Sequence, residues 1–301
     1  MARRTILHMF TPGKQMSPFD VNMGVDAGYE VAVPYCEVGM DNIVAMTQDA
    51  IFSRGPKGVA STGIFIGGRD VVMAADMLAQ ARGAMVPPFE VPVFADPSGS
   101  YTTAAALVAS VERQLRKAHN TDFAGRRVLV LGGSGAVGRI AGALASQLGA
   151  QVWLSSRKSP EEAARVAEET NKRFSAHTEG VVIRSSDMLQ SVLSDTDIVF
   201  ATASAGVQVV SESERAAARK LLVAADVNAV PPAGIAGVGV MDDGKRIGDS
   251  NAVGIGALAI GNVKYQVQHR LFVQMRESAK PVYLGFEEAM AMARAVAAEL
   301  D

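Results

Sequence analysis

The stretch that decides the fold runs from residue 127 to 138: Arg127-Val128-Leu129-Val130-Leu131, then Gly132-Gly133-Ser134-Gly135-Ala136-Val137-Gly138. The Val/Leu run bounded by glycine reads as a buried strand. The segment after Gly135 is alanine-rich and helical in spacing. The glycines thus form a G-x-G-x-x-G after a strand and at the opening of a helix, the context that gives this pattern meaning. Gly133 is expected to permit the tight turn, Gly135 to let the backbone approach a diphosphate, and Gly138 to let the helix lie close to the sheet. Together with Ser134, Ala136 and Val137 they form an expected phosphate cradle, with the N–H groups and positive end of the helix dipole aimed at the anion. The bland alternative is a glycine-rich turn that holds nothing; the flanking strand and helix weigh against it.

The next strand, 151–155, selects between dinucleotides. A site for NAD usually carries Asp or Glu at the end of this strand, where it holds the ribose 2′-hydroxyl. Here the strand runs into Ser155-Ser156-Arg157-Lys158, with no acid to repel a phosphate. Ser156, Arg157 and Lys158 can engage a 2′-phosphate with hydroxyl, guanidinium and ammonium. NADP is therefore the expected cofactor, with NAD as a second. Ligands in open α/β sheets lie beyond the carboxyl ends of the strands. That adds Thr202 and Ala203 after strand 198–201, and Asp226 and Asn228 after strand 221–225, though each could equally be an ordinary turn or capping residue.

Outward on the N-terminal side, strands are expected at 4–10, 31–35, 63–66 and 91–94. Helices are expected at 17–27 (with Ser17 as cap), 41–52, 70–84 and 103–118. On the C-terminal side, a helix at 161–174 and a strand at 181–183 continue the alternation, and helices at 264–277 and 286–300 close the chain. Alternating strands and helices imply a parallel or mixed sheet covered on its faces. The expected architecture is α/β and two-domain. Residues 1–120 form a substrate domain, 121–262 a Rossmann-type dinucleotide domain, and 263–301 are helices returning to the first domain.

Composition narrows the function classes. The 301 residues are 49% hydrophobic and 20% charged with net charge −2, so nothing favours nucleic acid or an anionic membrane. The single cysteine, Cys36, excludes an internal disulfide framework and fits a reducing compartment. No apolar run is long enough to span a bilayer, and the basic start lacks a cleavage site, so a cytoplasmic location is expected. There is no HExxH, no CxxC and no G-x-S-x-G, so neither a metal nor a serine nucleophile is expected. His8, His119, His177 and His269 are scattered. Polar groups that could position a substrate are Asp20 beside Phe19, Thr102 and Thr103 at a helix start, and Lys264 after a glycine-rich segment. On composition alone these read equally as first-turn charge, caps and a surface lysine.

Taken together, several segments change that balance: Ser17-Pro18-Phe19-Asp20, Phe52-Ser53-Arg54-Gly55, Thr62-Gly63-Ile64-Phe65-Ile66-Gly67-Gly68, Gly99-Ser100-Tyr101-Thr102-Thr103-Ala104-Ala105, the glycine loop, Asp226-Val227-Asn228-Ala229-Val230-Pro231-Pro232-Ala233-Gly234-Ile235 and Gly254-Ile255-Gly256-Ala257-Leu258. In this order and spacing they resemble the bacterial methylene-tetrahydromethanopterin dehydrogenases of methylotrophs, and most closely the branch that accepts NAD or NADP. The resemblance implies oxidation of a tetrahydromethanopterin-bound methylene group to the methenyl cation, with hydride passing to the nicotinamide. It implies a cleft between two domains and a homo-oligomer, trimer or higher. By position it assigns Phe19 to the pterin ring, Thr103 and Lys264 to the reacting centre, and Asp20, Thr102 and Gln268 to the substrate. One departure stands out. The NADP-specific branch has a histidine four residues after the lysine; here that place on the helix face is taken by Gln268, and His269 points elsewhere. Two other classes stay open: a methylene-tetrahydrofolate dehydrogenase/cyclohydrolase, for which no Tyr-x-x-x-Lys is found, and a non-catalytic NADP sensor.

Overall fold

The computed structural model describes residues 3–300. In chain order the first elements are β1 (Ile6–Phe10), α1 (Pro18–Asp26), β2 (Val31–Tyr35), α2 (Ile43–Phe52), β3 (Thr62–Ile66), α3 (Val71–Gly83), β4 (Val93–Ala95) and α4 (Ser100–His119). Then come β5 (Arg127–Leu131), α5 (Ala136–Gln147), β6 (Gln151–Ser156), α6 (Pro160–Phe174), β7 (Thr178–Val182), α7 (Ser186–Leu193), β8 (Ile198–Ala201), α8 (Glu212–Ala217) and β9 (Val223–Asp226). The chain closes with β10 (Asp243–Arg246), β11 (Val253–Ile255), α9 (Ala257–Glu277), β12 (Tyr283–Leu284) and α10 (Phe286–Ala298).

These elements divide into two compact units. One comprises the chain through Thr102 together with Tyr265–Met292; the other comprises Thr103–Lys264 and the chain from Ala293 onward. The first holds a five-stranded sheet in the order β12-β4-β3-β1-β2, parallel throughout. Its central strand β3 is buried along its whole length, as a parallel strand covered on both faces must be. Phe65 and Phe94 pack with Phe272 of α9, their ring centroids 5.1–5.5 Å apart.

The second unit holds a seven-stranded sheet ordered β10-β11-β9-β8-β5-β6-β7. Apart from the antiparallel edge strand β10, every pairing is parallel. Read from β7, the six parallel strands have the 3-2-1-4-5-6 order of a doubly wound nucleotide-binding sheet. The direction of winding reverses between β5 and β8, whose carboxyl ends are Leu131 and Ala201. A crevice at that point is where such sheets take ligands.

Several sequence expectations shift. The polar turn at 120–125 does not part the units; they part between Thr102 and Thr103, inside the uninterrupted helix α4. A polar turn marks the end of a helix, whereas the division depends on which core each turn of the helix packs against. Helix α9 begins at Ala257, not 264, so Lys264 lies in its second turn. Of the glycines before it, Gly256 reflects close packing: a Cβ there would collide with the carbonyl oxygen of Gly239. Ser17 occupies the N-cap position of α1 but its side chain makes no capping bond; Pro18 at the first position starts the helix. Strands β10, β11 and β12 and helices α7 and α8 have no counterpart among the sequence expectations, being short or polar.

Candidate functional site

A cavity of about 510 Å³ opens at the carboxyl ends of β5, β6, β7 and β8. Its floor is the glycine loop, and the structure redistributes the glycine roles. The positive φ that the tight turn needs belongs to Gly132, at +84°, and a Cβ there would lie 2.7 Å from the backbone of Thr202 and Ala203. Gly133 is required for another reason: its Cβ would press on the backbone of Leu154 and Ser155 at 2.7 Å. Gly138 brings α5 against the loop, its Cβ position 2.5 Å from the Gly132 oxygen. Gly135 differs from all of these. It has ordinary φ as the N-cap of α5, its Cβ would be 3.2 Å from its nearest neighbour, and it faces the cavity with Ser134. The first turn of α5, starting with Ala136 and Val137, has no side-chain cap, so its N–H groups are offered to an anion. The cradle therefore fits a diphosphate: close packing forces the backbone into place, and space is left in front of it.

At the other end the lining comes from side chains: Ser155, Ser156, Arg157, Lys158 and Arg184. Ser155 Oγ accepts from the Gly132 amide at 3.3 Å and so ties the two ends together. Arg184 lies just past β7, and its guanidinium donates to the Lys158 carbonyl, laying it across the Ser155–Lys158 loop. Sequence reasoning did not single out Arg184, although its place just beyond a predicted strand was the available signal. The strand end carries no acid of its own, but one reaches it from the next helix. Glu162, on the first turn of α6, accepts from Ser156 Oγ at 3.0 Å and from Lys158 Nζ at 2.7 Å. The Lys158 ammonium holds the Glu162 carboxyl below the usual carboxylate range.

Beyond β8, Thr202 and Ala203 line the cavity. Thr202 Oγ1 donates to the Leu131 carbonyl at 2.9 Å, which fixes the β8 loop against the glycine turn. Asp226 and Asn228, expected at the cofactor, do not line this cavity. The Asp226 carboxylate is buried and accepts from the amides of Asn228, Gly234 and Ile235 at 2.9, 2.7 and 3.2 Å. Burial pushes its pKa up, while the three amides pull the other way. Asn228 accepts from the Gly206 and Val230 amides and donates to the Pro232 carbonyl. Both side chains are committed to clasping the loop after β9.

In the first unit, Phe19 is 46% exposed on α1, while its neighbour Asp20 is buried. Gln268 Nε2 donates to Asp20 Oδ1 at 2.8 Å, and both groups are shielded from water. Gln268 thus holds Asp20, and His269 instead lies 3.4 Å from the Asp26 carbonyl. The substrate contact expected of Thr102 is not what its hydroxyl does: it is wholly buried and donates at 2.6 Å to Oδ2 of Asp96, whose other oxygen accepts from the Tyr101 and Thr102 amides at the start of α4. In the second unit, Thr103 is half-buried on α4 and Lys264 half-buried on α9, one turn before Gln268 on that helix. Among the described residues no group of three or more His, Cys, Asp or Glu is arranged to hold a metal, and no helix is long and apolar enough to cross a membrane.

Residues 18–98 match the family model described as methylene-tetrahydromethanopterin dehydrogenase, N-terminal. Over 294 residues, 98% of this chain and 99% of the relative, the sequence is 44% identical to an NAD(P)-dependent methylenetetrahydromethanopterin dehydrogenase of Methylorubrum extorquens. The chain belongs to this dehydrogenase family. A second relative from the same organism, the bifunctional protein MdtA, is 31% identical over 93% of this chain and 95% of its own. Among solved structures, 5-ketofructose reductase of a Gluconobacter strain aligns over 98% of this chain and 99% of its own with a TM-score of 0.51. At 17% identity that likeness speaks for the α/β fold alone. In this family member the matched N-terminal segment contains Phe19 and Asp20, while the cavity and Lys264 lie in the part that the full-length relative covers.

Proposed function

We propose that the protein oxidises methylene-tetrahydromethanopterin to the methenyl form, with NADP as hydride acceptor and NAD as a second acceptor. The full-length 44% identity to an enzyme of that named activity carries the proposal. The cavity supports it, since glycine backbone lines one end, where a diphosphate would lie, and Arg157, Lys158 and Arg184 line the other, where a 2′-phosphate would lie. When bound, the nicotinamide takes up the hydride. The substrate C–H bond breaks with its electron pair leaving as hydride, and the carbon left behind is a cation delocalised onto its nitrogen neighbours. No proton has to be removed, so no general base is required of the chain. Its task is placement, and a misplacement of ~1 Å can cost about a hundredfold in rate.

We assign Phe19 to stacking on the pterin, Asp20 to hydrogen bonding with it, and Thr103 and Lys264 to holding the methylene carbon. Lys264 acts as a hydrogen-bond donor to the pterin and not as a base. The protein works in the cytoplasm as a homo-oligomer, trimer or higher, and engages neither membrane nor nucleic acid. Steady-state turnover with tetrahydromethanopterin and tetrahydrofolate substrates, each with NADP and NAD, tests the reading. Turnover with the folate alone, or with neither pterin, overturns it.

A further inference from the structure

Two helices of the second unit begin with the same pattern. Ser159-Pro160-Glu161-Glu162 opens α6, and Ser211-Glu212-Ser213-Glu214 opens α8. In both, the serine hydroxyl accepts from the amide of the glutamate three residues on. In α8 the box closes: Glu214 reaches back to the Ser211 amide at 2.8 Å, as this spacing favours. In α6 the glutamate is diverted. Glu162 bonds Ser156 Oγ and Lys158 Nζ, two groups of the cavity's cationic end. A helix that gives up its own capping bond has placed that carboxylate elsewhere.

The consequence for a dinucleotide is competition. A 2′-phosphate at this end would need the Lys158 ammonium and the Ser156 hydroxyl, the same two donors that Glu162 holds. It would also bring a second anion beside the carboxylate. A 2′-hydroxyl brings no charge and displaces neither bond. We propose that Glu162 is a specificity-determining residue that lowers the preference for a 2′-phosphorylated dinucleotide and so keeps NAD usable at the end of the cavity that Arg157, Lys158 and Arg184 line. Ser156 and Lys158 form the shared donor pair through which it acts. This rests on the dinucleotide assignment made under the proposed function.

The test is Glu162→Gln, which keeps the shape while removing the charge and one of the two acceptors, so that Ser156 and Lys158 are no longer both held. Binding of NADP, NAD and 2′,5′-ADP is measured by titration calorimetry on the wild type and the variant. Affinity for NADP and for 2′,5′-ADP should rise roughly fivefold, an effect scaled to a solvent-screened charge pair. The NADP-to-NAD affinity ratio should rise with it. An unchanged ratio, or weaker NADP binding, overturns the inference and leaves Glu162 as a support for Lys158. Glu162→Asp, with a shorter carboxylate, should fall between the wild type and Glu162→Gln. Failure of the wild type to bind any of the three ligands would instead overturn the dinucleotide assignment itself, a result distinct from an unchanged ratio.

Discussion

The two ends of the cavity in the second unit are built by different means. The glycine-loop end is backbone: Gly132, Gly133 and Gly138 are packed so closely that a Cβ at any of them would meet another atom at 2.7 Å or less. The far end is side chain: Lys158 is 79% exposed and paired to Glu162, and Ser155, Ser156, Arg157 and Arg184 line the rest. A backbone-made site admits one shape and tolerates almost no substitution. A side-chain-made site can be retuned one residue at a time, because its contacts are separate side-chain hydrogen bonds and one partly solvated ion pair. Recognition of what all dinucleotides share belongs at the first end, and discrimination between them at the second.

That division can be broken most directly at Gly135. Its φ is ordinary and its Cβ position, 3.2 Å from the Gly132 oxygen, needs a shift of only a few tenths of an ångström, so Gly135→Val should fold while its side chain fills the space meant for the diphosphate. Affinity for NADP and NAD should fall together, by more than about a hundredfold. Calorimetry finding unchanged affinity for either cofactor would sink the assignment of this end.

Lys264→Ala comes next in size and should leave both ends of the cavity alone. Turnover should drop about a hundredfold, dissociation constants for NADP and NAD should hold, and the pH profile should keep its shape. A wild-type profile that loses one limb in the variant would mean proton transfer.

At the far end, Arg157→Ala combined with Lys158→Ala should weaken NADP by roughly tenfold or more and NAD by much less. Equal losses for both cofactors would show that the two ends do not differ as described.

The smallest effect concerns Asp226, which serves the loop after β9. Asp226→Asn replaces an acceptor of three amides with a group that must turn a donor toward one of them. Denaturant unfolding should show a loss of about 1–3 kcal/mol, with cofactor affinity unchanged. A selective loss of NADP affinity would return Asp226 to the cofactor.

Much of this was legible in the chain. The apolar run 127–131, the glycine spacing and the loop 155–158 announce a doubly wound sheet and its ligand edge, because strand burial and backbone approach leave local marks. A strand that depends on its neighbour leaves none: β12 exists because Val93 and Phe94 offer a parallel edge to Tyr283 and Leu284. The roles of Thr102, Asp226 and Asn228 were equally hidden. A hydroxyl or carboxylate that serves a ligand and one that serves the backbone look alike until their partners are known.

By itself, then, the sequence determined the alternation of strands and helices, the cradle, and a basic loop at the end of the second strand of the nucleotide sheet. Only the tertiary structure decided which glycine turns and which merely packs, that Arg184 from the next strand joins that loop, and that Glu162 faces Lys158. Periodicity and glycine spacing are properties of neighbours in the chain. A charge pair also depends on the angle at which a helix leaves its strand, and here Glu162 points back to the strand end while Glu214, with the same local pattern, closes on its own serine.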